Sequence, residues 1–162
     1  MASEPPRHPG RTIARLARQV ELGVSSLDLT LSQYRVLGIL GDGHEAASVL
    51  ADKLAVSRPS VTGVVDGLVA RGLVIRDHHG ADRRRIDVGL TDEGRRLLAA
   101  ADAEVQGRLG EIARYLEPEP ESSGGPGEAF GALATWHVAL DAYRTARHAQ
   151  RKGLSKEAHV GG

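Results

Sequence analysis

The chain has no cysteine, so it can hold no disulfide, no thiol redox centre and no cysteine-ligated metal. Aromatic residues make up only 3% of its 162 positions, too few for ring stacking on single strands to be a main binding mode. No apolar run approaches the length of a membrane span, and no signal-like apolar core opens the sequence. The expected setting is therefore cytoplasmic, with no membrane partner. Net charge is missing too: 21 basic residues balance 21 acidic ones, so the global field gives no pull toward polyanions. Lysine occurs only at Lys53, Lys152 and Lys156, which makes the cations nearly all arginine. A GC-rich genome produces that bias by itself, although arginine also suits bidentate contacts with phosphate and guanine.

Catalytic motifs are equally scarce. There is no nucleophile elbow, no phosphate-binding loop, no dinucleotide fingerprint and no H-E-x-x-H pattern. The seven histidines suggest no metal site. His78 and His79 are neighbours whose side chains would point to opposite faces of a strand, and His44 and His137 lie far apart. No cofactor is expected, and an enzyme reading has little to stand on.

What is present is a run of helical signals with one interruption. Residues 1–10 carry three prolines and a glycine and read as a disordered lead. From Arg11, Ile13, Leu16, Ala17, Val20 and Val24 fall on one helical face. Thr30 with Gln33 three residues later announces a second helix that stops at Gly41-Asp42-Gly43. Glu45–Leu54 reads as a short helix, Ala55-Val56 as a tight turn, and Ser57 as the N-cap of the next helix, with Pro59 in its first turn. Val61, Val64, Val65 and Leu68 form the inner side of that helix, which leaves Arg58, Pro59, Ser60, Thr62, Gly63 and Asp66 outside.

The period then changes. Leu73–Arg76 and Ile86–Leu90 read as two strands around a charged, glycine-containing tip that holds Asp82, Arg83, Arg84 and Arg85. Thr91-Asp92-Glu93 opens a long helix with Leu98, Ala101, Val105, Leu109, Ile112 and Leu116 in a narrow stripe. The segment 118–128 breaks it, and a last helix over about 129–150 carries Phe130, Leu133, Trp136, His137, Leu140 and Tyr143 before a polar tail. The fold class expected is mainly α with a small β-hairpin. Its centre is a helix-turn-helix, whose second helix is of a size that fits a DNA major groove, followed by a wing.

Two stretches, LADKLAVSRPSVTGVVDGLVARGLVIR at 50–76 and DRRRIDVGLTDEGRRLL at 82–98, resemble the multiple antibiotic resistance regulator (MarR) family. The resemblance covers most of residues 30–100. It implies a transcriptional regulator, commonly a repressor, that binds a pseudo-palindromic operator on double-stranded DNA as a homodimer. It also implies that the helices at 11–29 and 92–150 serve dimerisation around a winged domain at 30–91. On the recognition helix it implies DNA contacts from Ser57, Arg58, Ser60 and Thr62, with Pro59 and Gly63 on the same face. On the wing it implies them from Asp82, Arg83 and Arg84, with Arg85 adjacent. Many such proteins are released by small, often phenolic, effectors. The implied cleft lies near the second helix, where Tyr34 and Arg35 are the pocket candidates.

The chain departs from that pattern in two places. His79-Gly80-Ala81 stands where an Asp-x-Arg often precedes the wing, and Gly63 and Gly67 occupy recognition-helix positions that are often polar or basic. Residues 57–96 hold eight basic and six acidic side chains, a local excess of only +2. Two rivals stay open on the residues alone: a winged-helix protein-interaction module without DNA binding, and a small helical enzyme.

Overall fold

The computed structural model describes residues 9–77, 87–115, 131, 136–140, 142 and 146. The chain forms two compact units, Met1–Ile112 and Ala113–Gly162. In the first, the elements run α1 (Pro9–Ser25), α2 (Leu31–Gly41), β1 (Glu45–Ala46), α3 (Ala47–Leu54), α4 (Arg58–Ala70), β2 (Val74–Asp77), β3 (Asp87–Leu90) and α5 (Asp92–Ala113). In the second, residues 131, 136–140, 142 and 146 are helical, and Trp136, Val138 and Leu140 are exposed.

Helix α1 opens at Pro9 rather than Arg11, because proline and glycine are tolerated in a first turn whose N–H groups lack helical partners. The expected Thr30–Gln33 capping box opens α2: the Gln33 N–H donates to Thr30 Oγ1 at 3.2 Å, and the Thr30 N–H donates to Gln33 Oε1 at 3.0 Å. Glu45–Ala46 is a strand and not the start of a helix, so the sheet has three antiparallel strands in the order β1-β3-β2. Val74 faces Leu90 and Arg76 faces Val88, while Glu45 takes the other side of Val88.

Three helices end in the same way. The N–H groups of Leu29, Val56 and Leu73 reach back to the carbonyls of Val24, Ala51 and Leu68 at 3.1, 3.1 and 3.0 Å. Each bond closes over a residue with positive φ: Asp28 at 54°, Ala55 at 56° and Gly72 at 69°. This bonding satisfies carbonyls that the helix leaves free. At Ala55 it also turns the chain sharply enough to set Ser57 at the head of α4.

The core is aliphatic. Val24, Val36, Leu37, Leu50, Val61, Val65, Leu68, Val74 and Val88 are almost fully buried, and no polar or charged residue is buried among the described residues. With small side chains, the elements must approach closely to exclude voids. Glycines mark the closest approaches. A Cβ at Gly23 would lie 3.3 Å from Val105 Cγ2, and one at Gly94 would lie 2.0 Å from the Leu73 carbonyl oxygen.

Candidate nucleic-acid interface

Helices α3 and α4 meet through Leu50, Ala51 and Leu54 on one side and Val61, Val65 and Leu68 on the other, all buried. Val64, assigned to the inner side from sequence, is half-buried. Between the helices lie only Ala55, Val56 and Ser57. With roughly 100° between successive residues of a helix, burying that stripe fixes the opposite one. Pro59, Gly63, Asp66 and Ala70 run along the outer line of α4, with Ser60 and Thr62 on its flanks, and all six are exposed.

The first turn of α4 is capped from within the chain and stands on the exposed surface. Ser57 Oγ accepts the Ser60 N–H at 3.3 Å and lies 2.7 Å from Ser60 Oγ. The Val61 N–H is taken by the Ser57 carbonyl at 3.1 Å, and Pro59 has no N–H to give. The turn contains no acidic residue, and Arg58 is its one charged side chain, so no carboxylate of the turn offsets the positive end of the helix dipole. The Thr62 hydroxyl donates to the Arg58 carbonyl at 3.0 Å, which folds it against the helix.

The arginines around this turn are not equivalent. Arg76 on β2 is ion-paired with Asp66, the one acid of α4, which fastens the base of the wing to the recognition helix. Arg71 Nη1 donates to the Asp28 carbonyl at 2.7 Å, anchoring the end of α4 to the turn after α1. Arg95 Nη1 donates to the Leu90 carbonyl at 3.1 Å and its Nη2 pairs with Asp92 at 2.6 Å, while Arg96 pairs with Glu93 at 2.6 Å. Among the described residues, Arg58 has no such engagement. The sequence tally therefore counted four arginines that are held by the fold. The Asp66–Arg76 pair itself carried no sequence signal, since the two stand ten residues apart across an element boundary.

Strands β2 and β3 frame the wing, and their last facing pair is Asp77 with Asp87. Asp82, Arg83, Arg84 and Arg85 lie outside the described residues, as do His78 and His79. The base of the wing is well fastened. The Thr91 N–H donates to the Leu73 carbonyl at 3.1 Å, its hydroxyl donates to the Gly72 carbonyl at 2.8 Å, and the same oxygen accepts the Gly94 N–H at 3.0 Å.

The two pocket candidates on α2 face different neighbours. Arg35 borders a shallow depression of about 50 Å³ with Leu54, Val56, Ser60 and Val64, and its Nη2 donates to the Leu54 carbonyl at 3.2 Å. Tyr34 instead donates its hydroxyl to Asp102 Oδ1 on α5 at 2.7 Å. Burial, and then the Asp102 carboxylate beside it, hold the Tyr34 phenol well above its ordinary pKa, so it keeps its proton throughout the physiological range.

A sequence model of the MarR family matches residues 27–85, which hold α2, the helix-turn-helix and the start of the wing. The homoprotocatechuate degradative operon repressor of Escherichia coli is 32% identical over 123 residues, 69% of this chain and 78% of that protein. The chain belongs to the MarR family. A second relative, the HTH-type transcriptional repressor YetL of Bacillus subtilis (strain 168), is 30% identical over 92 residues, 55% of this chain. That match spans only 53% of YetL's own length. Among solved structures, CouR from Rhodococcus jostii RHA1 bound to p-coumaroyl-CoA superposes with a TM-score of 0.64 at 26% identity, covering 83% of this chain and 87% of that one. The expected winged helix-turn-helix thus agrees with the element order, and its sheet holds β1 as a third strand beside the expected hairpin.

Proposed function

We propose that the protein is a sequence-specific DNA-binding transcriptional repressor that works as a homodimer on a pseudo-palindromic operator. The observation that carries this reading is the first turn of α4: a capped, acid-free helix start on an exposed face, with Arg58 uncommitted among the described residues. Such an end attracts phosphate, while the outer face of the helix is presented to base edges. The wing arginines Arg83, Arg84 and Arg85, with Asp82 to orient them, supply the second contact, since a narrow minor groove favours inserted arginine. Repression is supported by the names of two relatives, YetL and the homoprotocatechuate degradative operon repressor.

Dimerisation is supported by large apolar side chains left exposed among the described residues: Ile13 and Ile112 in the first unit, Tyr115, Trp136 and Val138 in the second. A two-fold dimer presents its recognition helices about 34–36 Å apart, one turn of DNA. Release by a small organic effector is supported by the ligands of CouR, bound to p-coumaroyl-CoA, and of NadR, in complex with 4-hydroxyphenylacetate. Arg35 and Tyr34 on α2 are the residues assigned to that response.

The test is selection from a random-sequence duplex pool, followed by gel shifts over a salt series. The expected result is an enriched inverted repeat whose log affinity falls linearly with log salt, as counterion release requires. Arg84→Ala should abolish the shift. No enrichment by the wild-type protein would contradict the reading.

A further inference from the structure

Gly63 stands at the middle of the outer line of α4, opposite the buried Val61, Val65 and Leu68. Nothing in the fold asks for a glycine there. A Cβ at Gly63 would meet no atom within 4 Å, and the backbone lies outside the positive-φ region that favours glycine. Glycine is a poor helix former, so the position weakens α4 without any internal return. The side chains on its two flanks are short as well, with Pro59 and Asp66 above and below it on the outer line. The flanking residues are Ser60 and Thr62, and both hydroxyls are folded back on the helix, Ser60 onto Ser57 and Thr62 onto the Arg58 carbonyl.

We propose that Gly63 is a specificity-determining position, where the missing side chain lets α4 settle against the major-groove floor until its own backbone meets the base edges. This rests on the DNA-binding reading above. A helix with side chains is about as wide as the groove that admits it, so relief at the centre of the outer face sets the depth of insertion. A deeper helix brings the Ser60 and Thr62 oxygens within hydrogen-bond reach of base edges that these short side chains would otherwise miss. Phosphate contacts, made from the ends of α4 and from the wing, depend far less on that depth. The prediction is therefore a loss of discrimination more than of general DNA affinity.

Gly38 provides the control. It too is exposed within a helix, and a methyl added there would meet no atom within 4 Å, but it lies on α2 away from the α4 face. Gly38→Ala and Gly63→Ala are compared with the full-length wild type on two duplexes, one selected by the wild-type protein from a random pool and one scrambled from it. Both variants should melt higher than wild type. Gly63→Ala should bind the selected duplex at least tenfold more weakly and the scrambled duplex unchanged, whereas Gly38→Ala should match wild type on both. Any smaller loss for Gly63→Ala on the selected duplex, an equal loss on both duplexes, or a lower melting temperature for Gly63→Ala would overturn the inference. Failure of the wild type to select any duplex would instead remove the DNA reading on which it stands.

Discussion

Helices α4 and α5 both begin with a hydroxyl cap, Ser57 on one and Thr91 on the other, yet the two starts differ in what surrounds the cap. At α5, Asp92 and Glu93 occupy the first turn and are paired with Arg95 and Arg96. Gly94 there sits hard against the Leu73 carbonyl. The positive end of that helix is answered from within the chain, and its approach to the sheet leaves no free space. At α4 the first turn has no acid, and among the described residues there is no counter-charge for Arg58 and no atom over Gly63. A helix start finished internally serves the fold, and one left unfinished on the surface is available to a ligand of opposite charge.

Four substitutions or titrations probe this contrast. The largest effect is expected at the closed start. Gly94→Ala places a methyl 2.0 Å from a backbone oxygen that cannot rotate away, so α5 must shift from the sheet. Overpacking of this kind costs about 3 kcal/mol, and chemical denaturation should show that loss or unfolding at ambient temperature. At the open start, Arg58→Ala should leave the denaturation midpoint alone. It should weaken DNA binding by about 1–3 kcal/mol and lower the salt slope by about 0.9 if one phosphate contact is lost.

Next comes Ser57→Ala, which removes the cap on the Ser60 N–H and should reduce stability by about 1 kcal/mol in thermal or urea melts. The smallest effect is at Asp92. Its hydrogen bond to Arg95, and then the charge of that arginine, hold the carboxyl below its ordinary 3.8. A pKa depressed by folding means that the contribution is present above 3.8 and is lost as pH falls through the folded value. Asp92→Asn should therefore melt slightly below wild type near neutral pH. The gap should close in acid, and added salt should shrink it because the pair is exposed.

Much of this was legible before the structure, and the exceptions have physical reasons. Capping residues act on neighbours two or three positions away, so the Thr30–Gln33 box and the Ser57 cap could be read directly from the sequence. The strands β2 and β3 were visible through their change of period. Strand β1 was not, because two residues show no alternation and its pairing with Val88 and Asp87 is made far along the chain. The positive-φ helix ends were hidden at Asp28 and Ala55, which adopt without glycine the conformation that Gly72 takes with it. The fate of the arginines was hidden for a similar reason. Composition gives a charge excess, while only the packed chain shows Arg71 and Arg76 tied to Asp28 and Asp66 and Arg58 left over. On the wing, the assignment of Asp82, Arg83, Arg84 and Arg85 still rests on sequence pattern and resemblance, with the framing strands as their structural context.

The two helix starts can be compared in one experiment. Backbone amide shifts are recorded for the full chain before and after adding a duplex selected by the wild-type protein. Large changes are expected from Ser57 through Gly63 and none from Asp92 through Arg96. Changes centred on Asp92–Arg96, with the first turn of α4 silent, would contradict that expectation.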